Sequence, residues 1–465
     1  MTFVTHAQPR ILVQKFGGSS VASAEGRALL VSKVQRALDE GYAPLVVVSA
    51  MGRKGDPYAT DTLLSQLDFV PHTERDRREL DMLMACGEII SVVVCAHALR
   101  HKGIPAAALA GSETGLLTDG AHTEAHIHAV DPSVIQDTLN AGRVPVVAGF
   151  QGVGPDGNVT TLGRGGSDTT AVAVGVGVQA EAVEIYSDVE GVMTVDPRVF
   201  AGAGLIAEMS YEELGELAVE GARVMHPRAV DLAGARDVPL CIRSTFNATP
   251  GTVVRALPGR DALEQQRVVT GISPLRPVAH LVVPLPADPE TRESRVEAIF
   301  ELLTAREISL DLINICPDAL YFVVKQPFLE TVEAVLAGLG QTCRIRRDCA
   351  KISLVGAGMR GTPGVVGRIH RTLRRAGIAV LHSTDSNITI SCLVDGPRLN
   401  EAVEVLHREF FSPTFPRSTA PAGDVPAKAA AEPAGDAAAK AAADPTSDVP
   451  AKAAAGQGQM ERAKK

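Results

Sequence analysis

The chain has 465 residues, of which 45% are hydrophobic and 21% charged, and its formal net charge is −9. At roughly 150 residues per domain this allows about three domains with real cores, and the ordinary globular composition excludes a wholly disordered chain. The acidic balance supplies no overall field toward nucleic acid, and no run reaches the ~18 consecutive apolar residues of a membrane helix, so neither nucleic acid nor membrane is expected as a partner.

Residues 1–10 read as an N-terminal extension that lacks the basic start and apolar core of a signal peptide, which makes the cytoplasm the expected location. From 11 to 245, short apolar strands at 11–14, 45–49, 144–148, 182–186 and 240–243 alternate with helical patterns such as 24–39 and 79–99. That alternation predicts a largely parallel sheet covered by helices on its faces. Ligands on such sheets sit beyond the carboxyl ends of the strands, so the chemistry belongs in the loops that follow them.

The first strand runs into Lys15-Phe16-Gly17-Gly18-Ser19-Ser20. Two glycines permit close backbone approach, the N–H groups of a following helix can hold an anion, and Lys15 reaches the same place as a point charge. A tight strand-to-helix turn with a surface lysine fits these residues equally well. The second loop, Thr160-Thr161-Leu162-Gly163-Arg164-Gly165-Gly166-Ser167-Asp168-Thr169-Thr170, leads into an apolar helix at 171–178. Ser167 and Asp168 suit helix N-capping, but a cap requires neither Arg164 nor three glycines, and the loop reads as functional. The third, Ser187-Asp188-Val189-Glu190-Gly191-Val192 with Thr194-Val195-Asp196-Pro197-Arg198, can hold a base, a ribose or a metal-bound phosphate, or can simply turn. The dipeptide Gly-Lys occurs nowhere, which excludes a Walker-type phosphate loop, and the HRD and DFG patterns of protein kinases are absent.

A linker at 246–274 precedes an internal repeat with an offset of 70 residues. Glu307–Leu310 matches Gly377–Val380, each after an amphipathic helix (294–306 and 365–375), and Leu320–Val324 matches Ile390–Val394. Val335-Leu336 and Val405-Leu406 fall in the closing helices. Each copy reads strand–helix–strand–strand–helix with a last strand available, the ferredoxin-like order, which gives modules at 275–345 and 346–411. Gly356-Ala357-Gly358-Met359-Arg360-Gly361 has the form of a dinucleotide fingerprint, with Asp385 downstream. A dehydrogenase is the reading it offers, but the repeat already accounts for this segment and the remaining chain is too short for another βαβ unit. His122-x3-His126-x-His128 offers two imidazoles at helical spacing but no fourth ligand, and a solvated polar stretch is the alternative to a metal cluster. The seven cysteines include no CxxC pair and read as reduced, mostly buried thiols.

Taken in order, Lys15–Ser20 with Val21-Ala22, Val48–Gly52, Gly87-Glu88, Val147–Gly152, Gly163–Asp168 and Ser187–Arg198 resemble the signatures of the aspartate kinase family. The resemblance covers about 11–411, and Met51-Gly52-Arg53-Lys54-Gly55-Asp56-Pro57-Tyr58-Ala59-Thr60-Asp61 is similar to the diaminopimelate-sensitive Gram-positive branch. It implies an amino-acid-kinase-like open αβα sandwich, two ferredoxin-like ACT modules that regulate it, and ATP-dependent phosphorylation of the aspartate β-carboxylate to 4-phospho-L-aspartate. That reaction opens the biosynthesis of lysine and diaminopimelate, threonine and methionine. Carried over residue by residue, the resemblance makes Lys15 and Asp168 catalytic. Lys15, Phe16, Gly17, Gly18, Ser187, Asp188, Met193, Asp196, Arg198, Arg223 and Val224 go to ATP, which enters with Mg2+, and Ser49, Glu88, Arg164, Gly165, Gly166 and Ser167 go to aspartate. Met193 stands where many relatives carry an aromatic residue. No metal ligand set of the protein's own is implied. Asp311 and Asn314 are the candidates to meet an amino-acid effector (diaminopimelate, lysine or threonine), with strand-end capping as their alternative role, and the ACT modules imply a homo-oligomer.

Residues 412–465 are nearly all Ala, Pro, Gly, Asp and Lys and repeat DVPAKAAA at Asp424–Ala431 and Asp448–Ala455. With scattered prolines and no aromatic after Phe415, this tail cannot bury enough surface to offset its ordering entropy and reads as disordered. A chain ending after Phe415 is expected to keep its turnover, effector response and melting temperature. A melting-point loss of many degrees or loss of inhibition in that variant would make the tail a structural or regulatory element.

Overall fold

The protein is described by a computed structural model that covers residues 9–222, 224–257 and 267–412. Most of the N-terminal extension, Arg223, part of the linker and the tail beyond Ser412 lie outside these residues.

The strand Ala43–Val48 is Val-rich and buried along nearly its whole length, as expected for a strand covered on both faces. It belongs to an eight-stranded sheet whose order is Glu208–Met209, Thr252–Val254, Leu240–Ser244, Ala182–Ser187, Ile11–Phe16, Ala43–Val48, Val144–Ala148, Ala106–Leu109. The five strands expected from sequence all appear in it. Only the pairing of Leu240–Ser244 with Thr252–Val254 is antiparallel. On one face, helices Gly166–Gly177, Tyr211–Val219 and Pro227–Arg236 bury Val172, Leu214 and Val230. On the other, Ala24–Asp39 and Arg77–His101 bury Leu30, Val34, Val92 and Leu99. The expected αβα sandwich is therefore present. Helix Arg77–His101 is long and apolar enough by composition to cross a membrane, yet half of its apolar window is packed inside this fold.

The chain reverses direction across the sheet at its first strand. Ile11–Phe16 pairs with Ala43–Val48 on one side and with Ala182–Ser187 on the other, both in parallel. This is a topological switch point, and a crevice opens beyond the carboxyl ends of the strands.

The second half builds one six-stranded antiparallel sheet, ordered Asp311–Ile315, Ala319–Lys325, Gly271–Pro284, Arg344–Val355, Thr389–Asp395, His382–Asp385. Two ferredoxin-like units share its long central strands. Residues 278–282 pair with the first part of Arg344–Val355, and residues 271–275 pair with its end. The boundary placed at 274/275 thus falls inside a strand. Val269 and Ile272 belong to the core of the second unit, with Ile352, Ile369, Val394 and Leu406, so that unit takes its fourth strand from residues that precede the first unit. The strands expected to begin at 307 and 377 begin at Asp311 and His382, because tight turns with positive φ at Glu307 and Gly377 follow the helices. The dinucleotide-like glycines have a packing role here. A Cβ on Gly358 would lie 2.4 Å from the Arg267 carbonyl oxygen, so this turn accepts the neighbouring backbone rather than a pyrophosphate.

The two halves meet on the helix Tyr211–Val219. Glu213 and Glu216, with Glu220 at its C-cap, recur along one side of it at i, i+3 and i+7. Glu213 Oε1 accepts from Thr270 Oγ1 at 2.6 Å and from the Ala357 N–H at 2.9 Å, and Glu216 accepts from Thr389 Oγ1 at 2.8 Å. Glu220 lies 2.8 Å from Lys351 Nζ, and the same ammonium, only 3% exposed, is paired with Asp311.

Candidate active site

At the end of the first strand, Lys15 is 8% exposed, and its Nζ lies 2.7 Å from Asp168 Oδ1. Asp168 is the third residue of helix Gly166–Gly177, where a carboxylate favours the positive end of the helix. The capping role weighed for Ser167 and Asp168 is not the one observed. The N-cap is Gly165 at φ 71°, without a side-chain cap, and Asp168 is directed to Lys15 instead. A Cβ on Gly165 would lie 2.3 Å from Cβ of His226, so only glycine fits between this turn and the start of helix Pro227–Arg236.

A cleft of about 930 Å³ opens above this pair, lined by Lys15, Gly18, Ser49, Glu88, Arg164, Gly165, Gly166, Ser167 and Asp168 among others. They come from the ends of strands Ile11–Phe16 and Ala43–Val48, from helix Arg77–His101, and from the Arg164–Gly165 turn with the first turn of helix Gly166–Gly177, and the fold gathers them around one cleft. Helix Arg77–His101 supplies Glu88, which is 2% exposed. Its Oε1 accepts from the Ala50 N–H at 2.8 Å, while Oε2 is buried with no protein partner. Burial pushes its carboxyl up to about 8, against the opposing pull of that amide. Once ionised, a buried acid with one oxygen left free beside a cleft can receive a cationic group.

Other assigned residues stand elsewhere. Phe16 is fully buried and stacks on Tyr186 with centroids 4.8 Å apart, and neither it nor Gly17 lines the cleft. Gly18 gives room to the protein's own chain, since a Cβ there would lie 2.6 Å from the Ala50 carbonyl oxygen. Ser187, Asp188, Met193, Asp196, Arg198 and Val224 do not line the cleft. Ser187 ends the strand beside Lys15 and Asp188 follows it, and the Gly17 N–H donates to the Tyr186 carbonyl at 3.1 Å, which places this loop against the first. Asp196 is held below the usual carboxylate range by its hydrogen bond from Arg198, 2.7 Å away. Met193 is half-buried and bridges to Leu205, and Val224 packs on the core of the eight-stranded sheet. Arg223 lies outside the described residues.

Several residues were missed. Arg53 reaches across to Asp188 at 2.5 Å, and Lys54, Thr60, Asp61 and Arg75 line the cleft. The quoted run Met51–Asp61 already held four of these five without a role. Phe150, in the left-handed region at φ 69°, also lines it. Of the three histidines, His126 and His128 are exposed as the solvated reading expects, and no cluster of three or more metal-ligating side chains occurs among the described residues. His122 departs from that reading, because it bonds the buried Asp81 at 2.7 Å.

Family comparisons bear on this site. The amino acid kinase family model matches residues 10–244, and an ACT domain model matches 352–410. Aspartokinase 1 of Bacillus subtilis (strain 168) is 42% identical over 405 residues, which is 86% of this chain and 99% of that protein. Aspartokinase of Thermus thermophilus is 35% identical over 411 residues, covering 86% and 98%. Among solved structures, Clostridium acetobutylicum aspartate kinase superposes with a TM-score of 0.70 at 20% identity, covering 86% of this chain and all of that one. E. coli aspartokinase III in complex with aspartate and ADP gives 0.68 at 23%, with the same coverage. At those identities the likeness is one of fold. With the amino acid kinase model spanning residues 10–244 and the Bacillus relative 42% identical over 99% of its length, the chain belongs to the aspartokinase family.

Proposed function

We propose that this chain transfers the γ-phosphoryl group of ATP to the β-carboxylate of L-aspartate, giving 4-phospho-L-aspartate and ADP, under amino-acid control through its ACT modules. The observation that carries the reading is the buried Lys15–Asp168 pair on the floor of a cleft that also presents Glu88 and Arg164.

The chemistry asks little of a base. A carboxylate is already ionised at pH 7, so one of its oxygens attacks phosphorus directly, and the bond to the β–γ bridging oxygen breaks as ADP leaves. The protein's work is to align two anions and screen their charge. Arg164 offers two parallel N–H donors to the α-carboxylate, and Glu88 receives the ammonium. Ser49, with Gly165, Gly166 and Ser167 at the helix start, holds the β-carboxylate. Lys15 meets the charge that shifts onto the phosphates, and Asp168 orients it. The backbone of Phe16, Gly17 and Gly18 borders the phosphates, while Ser187, Asp188, Met193, Asp196, Arg198, Arg223 and Val224 face the nucleoside. Mg2+ arrives with ATP, held mainly by phosphate oxygens. An ATP-consuming enzyme of this kind belongs in the cytoplasm.

For control, Asp311 and Asn314 on the edge strand Asp311–Ile315 are our candidates to meet diaminopimelate, lysine or threonine, in a homo-oligomer built through the ACT modules. Asp311 already shares Lys351 with Glu220 of the catalytic half. Burial alone would lower the Lys351 ammonium, but Glu220 and Asp311 outweigh it and hold it above its ordinary value. An effector ammonium that takes Asp311 from Lys351 changes the balance at Glu220, three residues before Arg223.

A coupled ADP-release assay tests the whole reading, with L-aspartate as substrate and acetylglutamate and NAD reduction as controls. Lys15→Met and Asp168→Asn should each lower kcat by about 10²-fold or more with the fold intact, since both act on charge in transfer. Near wild-type turnover in either contradicts the assignment. Because Glu88 must be ionised to accept an ammonium, binding below pH 8 releases a proton, so the KM for aspartate should fall by up to about tenfold per pH unit from 6 to 8 and then level. Glu88→Gln should flatten that profile and raise the aspartate KM, as Arg164→Ala also should, by roughly 10- to 100-fold for a lost charge-assisted bond. The KM for ATP should stay put, and the reverse pattern would move both residues to the other substrate. Lys351→Met should keep basal kcat within about threefold yet raise the inhibitory concentration of whichever effector acts on the wild type by about tenfold or more, the scale of a 1–3 kcal/mol coupling. Unchanged inhibition would remove Lys351 from the route.

A further inference from the structure

Two helical turns before Glu88, on the same face of helix Arg77–His101, stands a second acid that the proposed chemistry does not use. Asp81 is 0% exposed. An ionised carboxylate that deep is costly unless donors surround it, and here they come from two separate loops. His122 Nδ1 lies 2.7 Å from Oδ2, the Thr123 N–H donates at 3.0 and 3.1 Å to the two oxygens, and Thr161 Oγ1 donates to Oδ1 at 2.5 Å.

Each donor sits next to the wall of the cleft. Thr123, which lines the cleft together with Glu124, is held at φ 73°, a conformation a β-branched residue adopts only under external constraint. Thr161 closes the strand Val159–Thr161 and is followed after one residue by Gly163-Arg164, which also line it. The two loops are tied to each other as well, since the Ala125 N–H donates to the Thr161 carbonyl at 2.9 Å. Arg228 closes the far side by donating to the Leu162 and Ala125 carbonyls at 2.9 and 3.0 Å.

We infer that Asp81 is a positioning residue for the amino-acid substrate: through His122, Thr123 and Thr161 it fixes the Thr123–Glu124 wall and the Gly163–Arg164 loop against the helix that carries Glu88. This rests on the assignment of Arg164 and Glu88 to aspartate. It also gives His122 a role that metal binding does not. Among the described residues no hydrogen bond joins the Asp81, His122, Thr123 or Thr161 side chains to the assigned nucleotide loops, so the effect should be confined to one substrate.

The test is steady-state kinetics of full-length Asp81→Asn, in which the amide keeps the size of the side chain but loses its capacity to accept at both oxygens. Aspartate KM is expected to rise about tenfold or more, with kcat within about threefold and ATP KM unchanged. His122→Ala and Thr161→Val, each removing one donor, should shift aspartate KM in the same direction by smaller factors. They carry the test if the asparagine variant does not fold. Unchanged aspartate KM in folded variants, or an equal rise in both KM values, overturns the inference. A wild-type enzyme that does not turn over aspartate would instead overturn the reading on which it rests.

Discussion

The buried ion pair between Lys15 and Asp168 is the constraint around which the catalytic half is arranged. Taking two charges out of water costs several kcal/mol per ion, so the pair is poor value as a source of stability. Its placement makes sense as stored alignment. Lys15 comes from the strand at which the sheet reverses, and Asp168 comes from the first turn of a helix that packs on that strand. Fixing their 2.7 Å contact fixes the register between the first loop and the Gly163–Asp168 loop, and hence between the two halves of the cleft. In the proposed reaction an incoming triphosphate would find the lysine already oriented and dehydrated, which is where preorganised electrostatics does most for transfer between two anions.

The regulatory half is attached at the places where this arrangement can be disturbed. Val195 belongs to the hydrophobic core of the second ACT unit, one residue from Asp196 on the assigned nucleotide side. Its neighbour Thr194 bonds Nε2 of His407 at 2.9 Å. The helix that carries Glu213, Glu216 and Glu220 into the ACT sheet is followed by the segment that ends at His226 beside Gly165. A shift of the ACT sheet therefore has two short covalent routes to the substrate loops. Both begin at buried polar contacts, which have discrete alternatives rather than a continuous range of positions.

The parts of this molecule that were legible in the sequence are those governed by local pattern. The buried strands read through as Val and Ile runs, and the end of the first strand carries Lys15 to the cleft that helix Arg77–His101 and the Gly163–Arg164 loop supply with Glu88 and Arg164. What was not legible depends on partners distant in the chain. Residues 271–274 look like linker until their pairing with 352–355 is seen. Gly356–Gly361 imitates a nucleotide motif because a turn that receives a neighbouring backbone and one that receives a pyrophosphate both need glycine. Asp81 and His122 are 41 residues apart, and nothing in either local stretch announces that a buried acid meets the imidazole. Arg53, reaching Asp188 from 135 residues away, was hidden for the same reason. Phe16 sits inside the loop motif yet faces the core, since strand alternation, not motif membership, decides where a side chain points.

The central claim is that a carboxylate of aspartate, held by Glu88 and Arg164, is the phosphoryl acceptor. An acyl phosphate reacts with hydroxylamine to give a hydroxamate and inorganic phosphate, whereas ATP hydrolysis gives none. The most direct measurement is to run the full-length enzyme with ATP, Mg2+ and L-aspartate in hydroxylamine, and to quantify the hydroxamate and its position against ADP. The account predicts aspartate β-hydroxamate in a one-to-one ratio with ADP, falling together with ADP in Lys15→Met. ADP formed without hydroxamate, or hydroxamate on a different carboxylic acid supplied in its place, would contradict it.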